Sequence, residues 1–265
     1  MRALRHKVVV ITGAASGIGR ALARALASRG AVLALVDVDE SGLQSLCDEL
    51  SQINSTISSY IVDVSDRASM ECLPVKVMTA HGTIDVLINN AGVSVGAMFD
   101  DHSIEDAEWL LDINLKGVIY GCKFFLPYLK QSPEAHIVNV SSMFGFFSMP
   151  GQAMYSASKA GVRGFSEALW TELASTSVRV TTVYPGTIRS NVIRASRMLD
   201  AQAQVRAAKL QEKYGMPTEK AAEKIVRAIE RNKLRVVVGA DAHIAELLKR
   251  LFPVSFQRMI GIFFR

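Results

Sequence analysis

The chain has 265 residues, of which 49% are hydrophobic and 21% are charged, and its net charge is +5. This composition excludes a disordered chain, and the length allows one large α/β domain or two small ones. The small positive charge comes without a cluster of basic and aromatic residues, so the sequence predicts no nucleic-acid binding. No apolar stretch reaches the roughly 18 residues that a membrane-spanning helix needs.

Cysteine usage and the first residues point to a reducing compartment. Cys47, Cys72 and Cys122 are odd in number and lack CxxC spacing, which argues against a disulfide framework. The basic start leads directly into a strand-like run, without the apolar region and cleavage site of a secretory signal. We therefore predict a cytoplasmic protein, and we predict no metal site.

Short apolar runs alternate with segments of helical periodicity along the chain. Seven runs are predicted to be strands buried on both faces, at residues 7–12, 31–37, 58–62, 84–89, 136–140, 178–184 and 235–238. Helical periodicity marks residues 18–28, 42–50, 68–80, 104–129 and 153–174. The alternation predicts an α/β fold over 1–265, a single-domain Rossmann-like doubly wound parallel sheet of about seven strands in three α/β/α layers.

Two segments break this alternation. Residues 189–215 follow a strand and are long, polar and basic, which favours a substrate lid. Their six Arg and Lys residues either meet an anionic substrate such as an acyl carrier or form a solvated helix face, and we prefer the second interpretation. The tail, 243–265, is apolar and basic and is interrupted by Pro253. We expect it to cover a neighbouring subunit or close a pocket; the alternative is contact with a membrane surface.

A glycine-rich turn joins the first predicted strand to the first helix. Glycines at this place let backbone N–H groups approach a phosphate, and the helix N-terminus favours negative charge. The turn therefore predicts a dinucleotide site. Its members are Gly13, Ser16, Gly17, Ile18 and Gly19.

An acidic residue ends the second predicted strand. Asp37 lies 18 residues after Gly19, where a carboxylate accepts hydrogen bonds from the adenosine ribose. It would repel a 2′-phosphate, and neither Ser16 nor Val38 offers a cation, so we predict NAD rather than NADP. Asp39 is better placed than Asp37 to cap the next turn.

The third and fourth predicted strands also end at the expected crevice. Asp63 could accept a hydrogen bond from the adenine amino group, and small residues at 91 and 92 let the backbone pass close to a ribose. The residues predicted to bind cofactor here are Asp63, Val64, Asn90, Ala91 and Gly92.

Tyr155 and Lys159 are four residues apart in a predicted helix and therefore share a face. A phenol with a pKa of about 10 is a poor base near neutrality unless a nearby positive charge stabilises its anion. Lys159 supplies such a charge, so the pair is a candidate for moving a proton on or off an alcohol oxygen.

These segments, in this order, resemble the short-chain dehydrogenase/reductase family over residues 7–190. The residues that carry the resemblance are Thr12–Gly19, Asp37, Asp63, Asn89–Gly92, Asn114, Ser141, Ser142, Tyr155, Lys159, Pro185 and Gly186.

The resemblance implies a role for each matched residue. Tyr155 is the expected acid/base, Lys159 lowers its pKa and binds the nicotinamide ribose, and Ser142 holds the substrate oxygen. Asn114 is expected to hold a water that relays protons to the lysine. Ser141 is one residue out of register and is expected to support the site. The loop expected to receive the nicotinamide carboxamide consists of Pro185, Gly186, Thr187 and Ile188.

Apolar residues surround the predicted catalytic positions. Met143, Phe144, Phe146, Phe147, Met149 and Met154 indicate either an apolar substrate pocket or a packed loop or subunit contact. The leading hypothesis is an NAD-dependent dehydrogenase that interconverts a hydrophobic, hydroxysteroid- or lipid-like secondary alcohol and its ketone. The alternatives are an NADPH-linked carbonyl or 3-oxoacyl reductase and a non-catalytic NAD-binding sensor. The family also implies a homodimer or homotetramer, built through the helices that carry Asn114 and Tyr155.

Overall fold

Seven parallel strands form one sheet in the computed structural model, which describes residues 3–53, 56–190, 192–193, 196–198 and 200–263. The strands, with two short ones that pair separately, are Val8–Thr12 (β1), Val32–Asp37 (β2), Ile57–Ile61 (β3), Val86–Asn89 (β4), Val95–Gly96 (β5), Ala135–Val140 (β6), Val178–Pro185 (β7), Arg197–Met198 (β8) and Arg235–Val238 (β9). The sheet order is β3-β2-β1-β4-β6-β7-β9, and β5 pairs with β8. The predicted doubly wound sheet is confirmed; the β5–β8 pair was not predicted.

Ten α-helices accompany these strands in the described residues. They are Gly17–Ala27 (α1), Glu40–Ser51 (α2), Arg67–His81 (α3), Ile104–Leu111 (α4), Gly117–Leu129 (α5), Ala153–Glu172 (α6), Ala201–Tyr214 (α7), Thr218–Glu230 (α8), Ala240–Leu251 (α9) and Pro253–Phe263 (α10). No helix in this part of the chain is long and apolar enough to cross a membrane.

Two helical predictions need correction. The helix predicted over 104–129 is interrupted by a π-helical turn, Asp112–Lys116, in which the N–H of Gly117 bonds to the carbonyl of Asp112 five residues back. Within the segment 189–215 the sequence predicted no helix, but α7 fills its second half; the role of the segment as a substrate lid stays a prediction. Polar and basic residues dominate α7, and Gln211 is its one buried residue, so the helix lacks the apolar stripe that sequence periodicity detects.

Both faces of the sheet are covered by helices. Along β1, Val8 and Val10 belong to one apolar cluster and Val9 and Ile11 to the other, as the alternation of side chains in a strand requires. The first cluster includes residues from α3, α5 and α6; the second includes residues from α1, α2 and α8. This layering leaves the carboxyl ends of the strands free to form a site.

Candidate active site

A cleft of about 860 Å³ lies at the carboxyl edge of the sheet, where the strand order reverses between β1 and β4. Every site residue predicted from the sequence lines this cleft except Gly19 and Asn114. The predicted residues that it brings together are Gly13, Ser16, Gly17, Ile18, Asp37, Asp63, Val64, Asn90, Ala91, Gly92, Ser142, Tyr155, Lys159, Pro185, Gly186, Thr187 and Ile188.

The glycine turn packs tightly against the turn that follows β4. A Cβ on Gly13 would lie 2.8 Å from Cα of Ala91, and the φ of Gly13 is +66°. A Cβ on Gly19 would lie 2.0 Å from the carbonyl oxygen of Gly13, so Gly19 serves packing behind the turn rather than the cleft wall. Asn90 connects the two turns, since its Nδ2 donates to the carbonyl oxygens of Thr12 at 2.9 Å and Gly13 at 3.1 Å.

The first helix begins directly at this turn. Ser16 precedes α1, and its side chain makes no capping hydrogen bond to the helix. The N–H groups at the start of α1 therefore keep the anion-binding capacity of a helix N-terminus. This geometry fits the phosphates of a dinucleotide.

Asp37 is held by three main-chain N–H groups at the end of β2. Its Oδ2 accepts from Ala15 at 2.9 Å, and its Oδ1 accepts from Val38 at 2.8 Å and Asp39 at 3.1 Å. Asp39 caps α2 by accepting from the N–H of Gly42, as the sequence predicted. Asp37 is therefore fixed at the cleft and is not used as a helix cap.

Nearby arginines are engaged elsewhere. Arg20 and Arg24 both bind the carboxylate of Glu49. The hydrogen bond from Arg24 is the largest of the influences that lower the pKa of Glu49 to about 2; the hydrogen bond from Arg20 and the charges of both arginines add to it. Among the described residues of the cleft lining, Lys159 is the single basic side chain. No side chain in that lining supplies a positive charge to pair with a 2′-phosphate beside Asp37.

Tyr155 and Lys159 lie on α6, and Ser142 lies just after β6. The hydroxyls of Ser142 and Tyr155 line the same part of the cleft, and the hydroxyl of Ser142 accepts from the N–H of Phe144 at 3.2 Å. Lys159 is buried and donates to the carbonyl oxygen of Val140 at 3.2 Å. The phenol and the ammonium thus share one wall of the cleft, as their spacing predicted.

Burial sets the direction of the pKa shifts of this pair. Burial raises the pKa of Tyr155, and the nearby hydroxyl of Ser142 lowers it by less. Burial also lowers the pKa of Lys159 to about 8. Removal from water is therefore the larger influence on the tyrosine pKa in the chain by itself. The expected lowering by Lys159 beside a bound cofactor stays a prediction.

Asn114 is buried in the π-helical turn, behind the cleft wall. Its Oδ1 accepts from the N–H of Val93 at 2.8 Å, and its Nδ2 donates to the carbonyl oxygen of Val93 at 2.9 Å and to Ser158 at 3.3 Å. Both the oxygen and the nitrogen of the carboxamide are hydrogen-bonded within the protein, so the side chain positions the segment after β4. Ser141 also supports the site, because its hydroxyl donates to the carbonyl oxygen of Lys159 at 2.7 Å.

Asp241 positions a loop of the site and was not predicted from the sequence. Its Oδ2 accepts from the N–H of Thr187 at 2.6 Å, and its Oδ1 lies 2.3 Å from where a Cβ on Gly186 would be. It therefore fixes the loop that follows β7. Thr187 and Asp241 are separated by 54 positions in the sequence, so no local pattern would reveal this contact.

The far end of the cleft is apolar. Met143, Phe144 and Met149 line it together with Trp109, whereas Phe146, Phe147 and Met154 do not. Phe146 packs on Tyr184, with 4.4 Å between ring centres. Phe147 packs between Phe144, at 5.3 Å, and Phe256 of α10, at 5.4 Å. Both predicted interpretations of these aromatic residues are thus present in one loop.

The segment after β7 covers this apolar end. β8 pairs with β5 through Arg197 and Met198, and the Arg197 guanidinium lies 3.7 Å from the centre of the Trp109 ring and 2.6 Å from Asp106. Arg189 donates to the carbonyl oxygen of Gly215 at 2.8 Å. Arg194 lies outside the described residues. The arginines at 189 and 197 therefore hold the segment in place, which favours a structural role for its charge.

Comparison with known proteins agrees with this geometry. The sequence matches the family description "short chain dehydrogenase" over residues 7–200. It is 38% identical to the "Putative oxidoreductase SadH" of Mycobacterium tuberculosis over 265 residues, which covers 98% of this chain and 96% of that protein. It is 39% identical over 187 residues to the "3-oxoacyl-[acyl-carrier-protein] reductase FabG" of Thermotoga maritima, covering 71% of this chain and 76% of that one.

A solved structure is similar along nearly the whole chain. It is a short-chain dehydrogenase/reductase from Burkholderia phymatum in complex with NAD, and the TM-score is 0.89 at 29% identity, with 95% of each chain covered.

Proposed function

Because the chain belongs to the short-chain dehydrogenase/reductase family and is an NAD(P)-dependent oxidoreductase acting on CH–OH donors, we propose that it uses NAD and interconverts a hydrophobic secondary alcohol and its ketone. The observation that carries this proposal is the position of Ser142, Tyr155 and Lys159 in the same cleft as the glycine turn. A proton-handling group and a dinucleotide site are both needed for hydride transfer to or from an alcohol carbon.

The residues present fit NAD. Gly13 allows the close approach of backbone, the uncapped start of α1 suits the phosphates, and the carboxylate of Asp37 suits the ribose hydroxyls. When bound, the nicotinamide supplies the hydride acceptor or donor. The loop at Gly186 and Thr187 would hold its carboxamide.

The chain's own residues handle the substrate oxygen. The hydroxyls of Ser142 and Tyr155 line the same cleft and can both bind that oxygen. In the oxidation direction the phenolate of Tyr155 accepts the alcohol proton at Oη and becomes the phenol, and in the reduction direction the phenol donates that proton to the ketone oxygen and becomes the phenolate. The ammonium of Lys159 stabilises the phenolate form of Tyr155, and because Lys159 is buried, water screens this interaction less than it would at the surface.

The cleft lining supports an uncharged, lipophilic substrate. Met143, Phe144, Met149 and Trp109 surround the space beyond Tyr155, and Lys159 is the single cation among the described lining residues. Apolar walls with few polar groups are typical of sites that orient a hydrophobic ligand through one or two hydrogen bonds.

An NADPH-linked 3-oxoacyl reductase is the second candidate. It is favoured by the identity to the protein named FabG and opposed by the carboxylate of Asp37. A non-catalytic NAD sensor is the third, and it would have no need of Ser142, Tyr155 and Lys159 together.

One experiment separates these functions. Purified protein is given a panel of secondary alcohols and ketones of increasing apolar size, together with 3-oxoacyl thioesters, with each of the two cofactors. We expect turnover with NAD(H) and a kcat/KM that rises with the apolar size of the substrate. Preference for NADPH with acyl thioesters supports the second candidate. Tight NAD binding without turnover of any compound supports the third.

The family also leads us to propose a homodimer or homotetramer built through α5 and α6. Trp170 on α6 is 41% exposed, as an aromatic residue at a subunit contact would be in the isolated chain. The mass of the protein in solution tests this.

A further inference from the structure

The two C-terminal helices turn apolar side chains outward. On α9, Ile244, Leu247 and Leu251 are 59%, 57% and 59% exposed, whereas Ala242 on the opposite side is fully buried. Spacings of three and four residues place the three exposed side chains on one helix face. This arrangement reverses the usual one, in which the apolar stripe of a surface helix faces the core.

The last helix repeats the pattern. On α10, Val254 and Ile262 are 61% and 72% exposed, whereas Phe256 is 6% exposed and packs on Phe147. Gln257 also faces inward and donates to the carbonyl oxygen of Ser148 at 2.9 Å. The inner side of α10 therefore packs on the rest of the chain, and the exposed apolar side chains on its outer side take no part in that packing. We call Ile244, Leu247, Leu251, Val254 and Ile262 the outer apolar face.

The charges beside this face are of one sign. Arg250 and Arg258 are exposed, and the sequence contains no acidic residue after Glu246. Glu246 itself binds Arg235 at 2.7 Å. Arg258 is four residues from both Val254 and Ile262 and therefore lies on the same side of α10. An exposed apolar helix face that carries basic residues is the pattern of helices that lie in the interface of an anionic bilayer.

We propose that the outer apolar face docks on an anionic lipid surface. A second copy of the chain is disfavoured as the occupant, because a two-fold contact would bring together two copies of the same positively charged surface, and neither copy has an acidic residue after Glu246. A bilayer with anionic headgroups satisfies both features, since the acyl region takes the apolar side chains and the headgroups pair with the arginines.

Docking there would place lipid beside the substrate end of the cleft. α10 contacts Phe147 and Ser148, and the same loop contributes Met143, Phe144 and Met149 to the apolar lining. The proposal concerns binding and does not depend on which reaction the cleft performs.

Co-sedimentation with lipid vesicles tests the proposal on the full chain. The protein is mixed with vesicles of phosphatidylcholine alone and of phosphatidylcholine containing phosphatidylglycerol, and its mass in solution is measured in parallel. We expect binding to the anionic vesicles only, weakening as salt rises. Arg250→Gln with Arg258→Gln should weaken this binding by about 25-fold, about fivefold for each arginine.

A second variant separates lipid from protein contact. Leu247→Ser, Leu251→Ser and Ile262→Ser together should abolish vesicle binding and leave the mass unchanged. Val75→Ser with Arg67→Gln on α3 is the matched control, since Val75 is 54% exposed and Arg67 is also exposed, and it should bind as the parent does. Absence of binding to anionic vesicles, or unchanged binding in both tail variants, overturns the proposal. A fall in mass of the serine variant also overturns it and assigns the face to a second copy.

Discussion

The ammonium nitrogen of Lys159 lies 5.7 Å from the centre of the Tyr155 ring. Its hydrogen bond goes to the carbonyl oxygen of Val140, so its charge acts on the phenol through space. The two side chains therefore have separable roles: Tyr155 carries the proton, and Lys159 provides positive potential. The first prediction tests the role of Tyr155, and the second tests the burial of the Lys159 ammonium.

We expect Tyr155→Phe to abolish turnover without weakening NAD binding. The substitution keeps the ring, which packs edge-on to Phe144 with 5.9 Å between ring centres, and removes only the hydroxyl. General acid–base catalysis contributes about 10²- to 10⁴-fold, so kcat should fall by at least about 100-fold. Steady-state kinetics and NAD titration measure the two effects. Ser156→Ala, one residue away on α6, is the control, and normal turnover by Tyr155→Phe would refute the assignment.

We expect the stability cost of burying Lys159 to fall as the pH rises. Burial depresses its pKa to about 8 from 10.5, so between these values the unfolded state binds more protons and folding becomes more favourable with pH. Relative to Lys159→Met, the parent should gain about 2.5 kcal/mol in free energy of unfolding between pH 7 and pH 10. Burial raises the pKa of Tyr155 above 10, so that group reduces stability only above this window.

Denaturant unfolding of both proteins at each pH gives this difference. The parent should be the less stable of the two at pH 7, by less than the full cost of burial because the methionine variant loses the hydrogen bond to Val140. Parallel pH profiles would show that Lys159 titrates normally in the folded protein.

The strand ends were predictable from the sequence because their signals are local. β1 consists of five buried residues, all of them β-branched, and the glycine turn follows it directly. The spacing of Tyr155 and Lys159 likewise needs only one helix turn. Once the parallel sheet is predicted correctly, the positions of these separate local motifs follow, because the carboxyl ends of parallel strands lie at the same edge of the sheet.

The remaining features of the site depend on contacts that are distant in sequence. The Arg197–Asp106 pair spans 91 residues, and the two-residue strands β5 and β8 are too short to produce a periodic signal. The direction of the Tyr155 pKa shift depends on burial, which the spacing of two residues does not reveal. Asn114 was identified by family resemblance, but its occupied carboxamide is visible only in the structure.

We expect Asp37→Ser combined with Val38→Arg to change the cofactor preference from NAD to NADP. The change removes the carboxylate that repels a 2′-phosphate and adds a cation at a position that is 62% exposed. Hydrogen bonds to charged groups contribute about 1.5–3 kcal/mol, so kcat/KM for NAD should fall by about 10- to 100-fold. Asp37→Asn is the control for the turn, because its amide oxygen can still accept from Ala15. An unchanged preference in the double variant would contradict the role of Asp37.

We expect Arg197→Met to raise the KM for the substrate. The side chain stacks on Trp109 and pairs with Asp106, whose carboxyl pKa it lowers, and so holds β8 against β5 over the cleft. The guanidinium is half exposed, so stacking and ion pair together contribute about 1–2 kcal/mol, equivalent to about 5- to 30-fold in KM. The KM for NAD should change little. Arg67→Met is the control, and equal substrate KM values in the two variants would show that Arg197 does not hold β8 over the cleft.

We expect Asp241→Ala to weaken NAD binding and to lower kcat, while Asp241→Asn retains most of both. The carboxylate accepts from the N–H of Thr187 at 2.6 Å, and Gly186 leaves room for it. Alanine leaves the loop after β7 without this acceptor, at a cost of about 1–2 kcal/mol and therefore about 10-fold in kcat/KM. Asparagine keeps an oxygen at the same place, so a loop-positioning role predicts recovery in that variant. If both variants lose activity equally, the negative charge is required, and if neither does, the loop holds its position without Asp241.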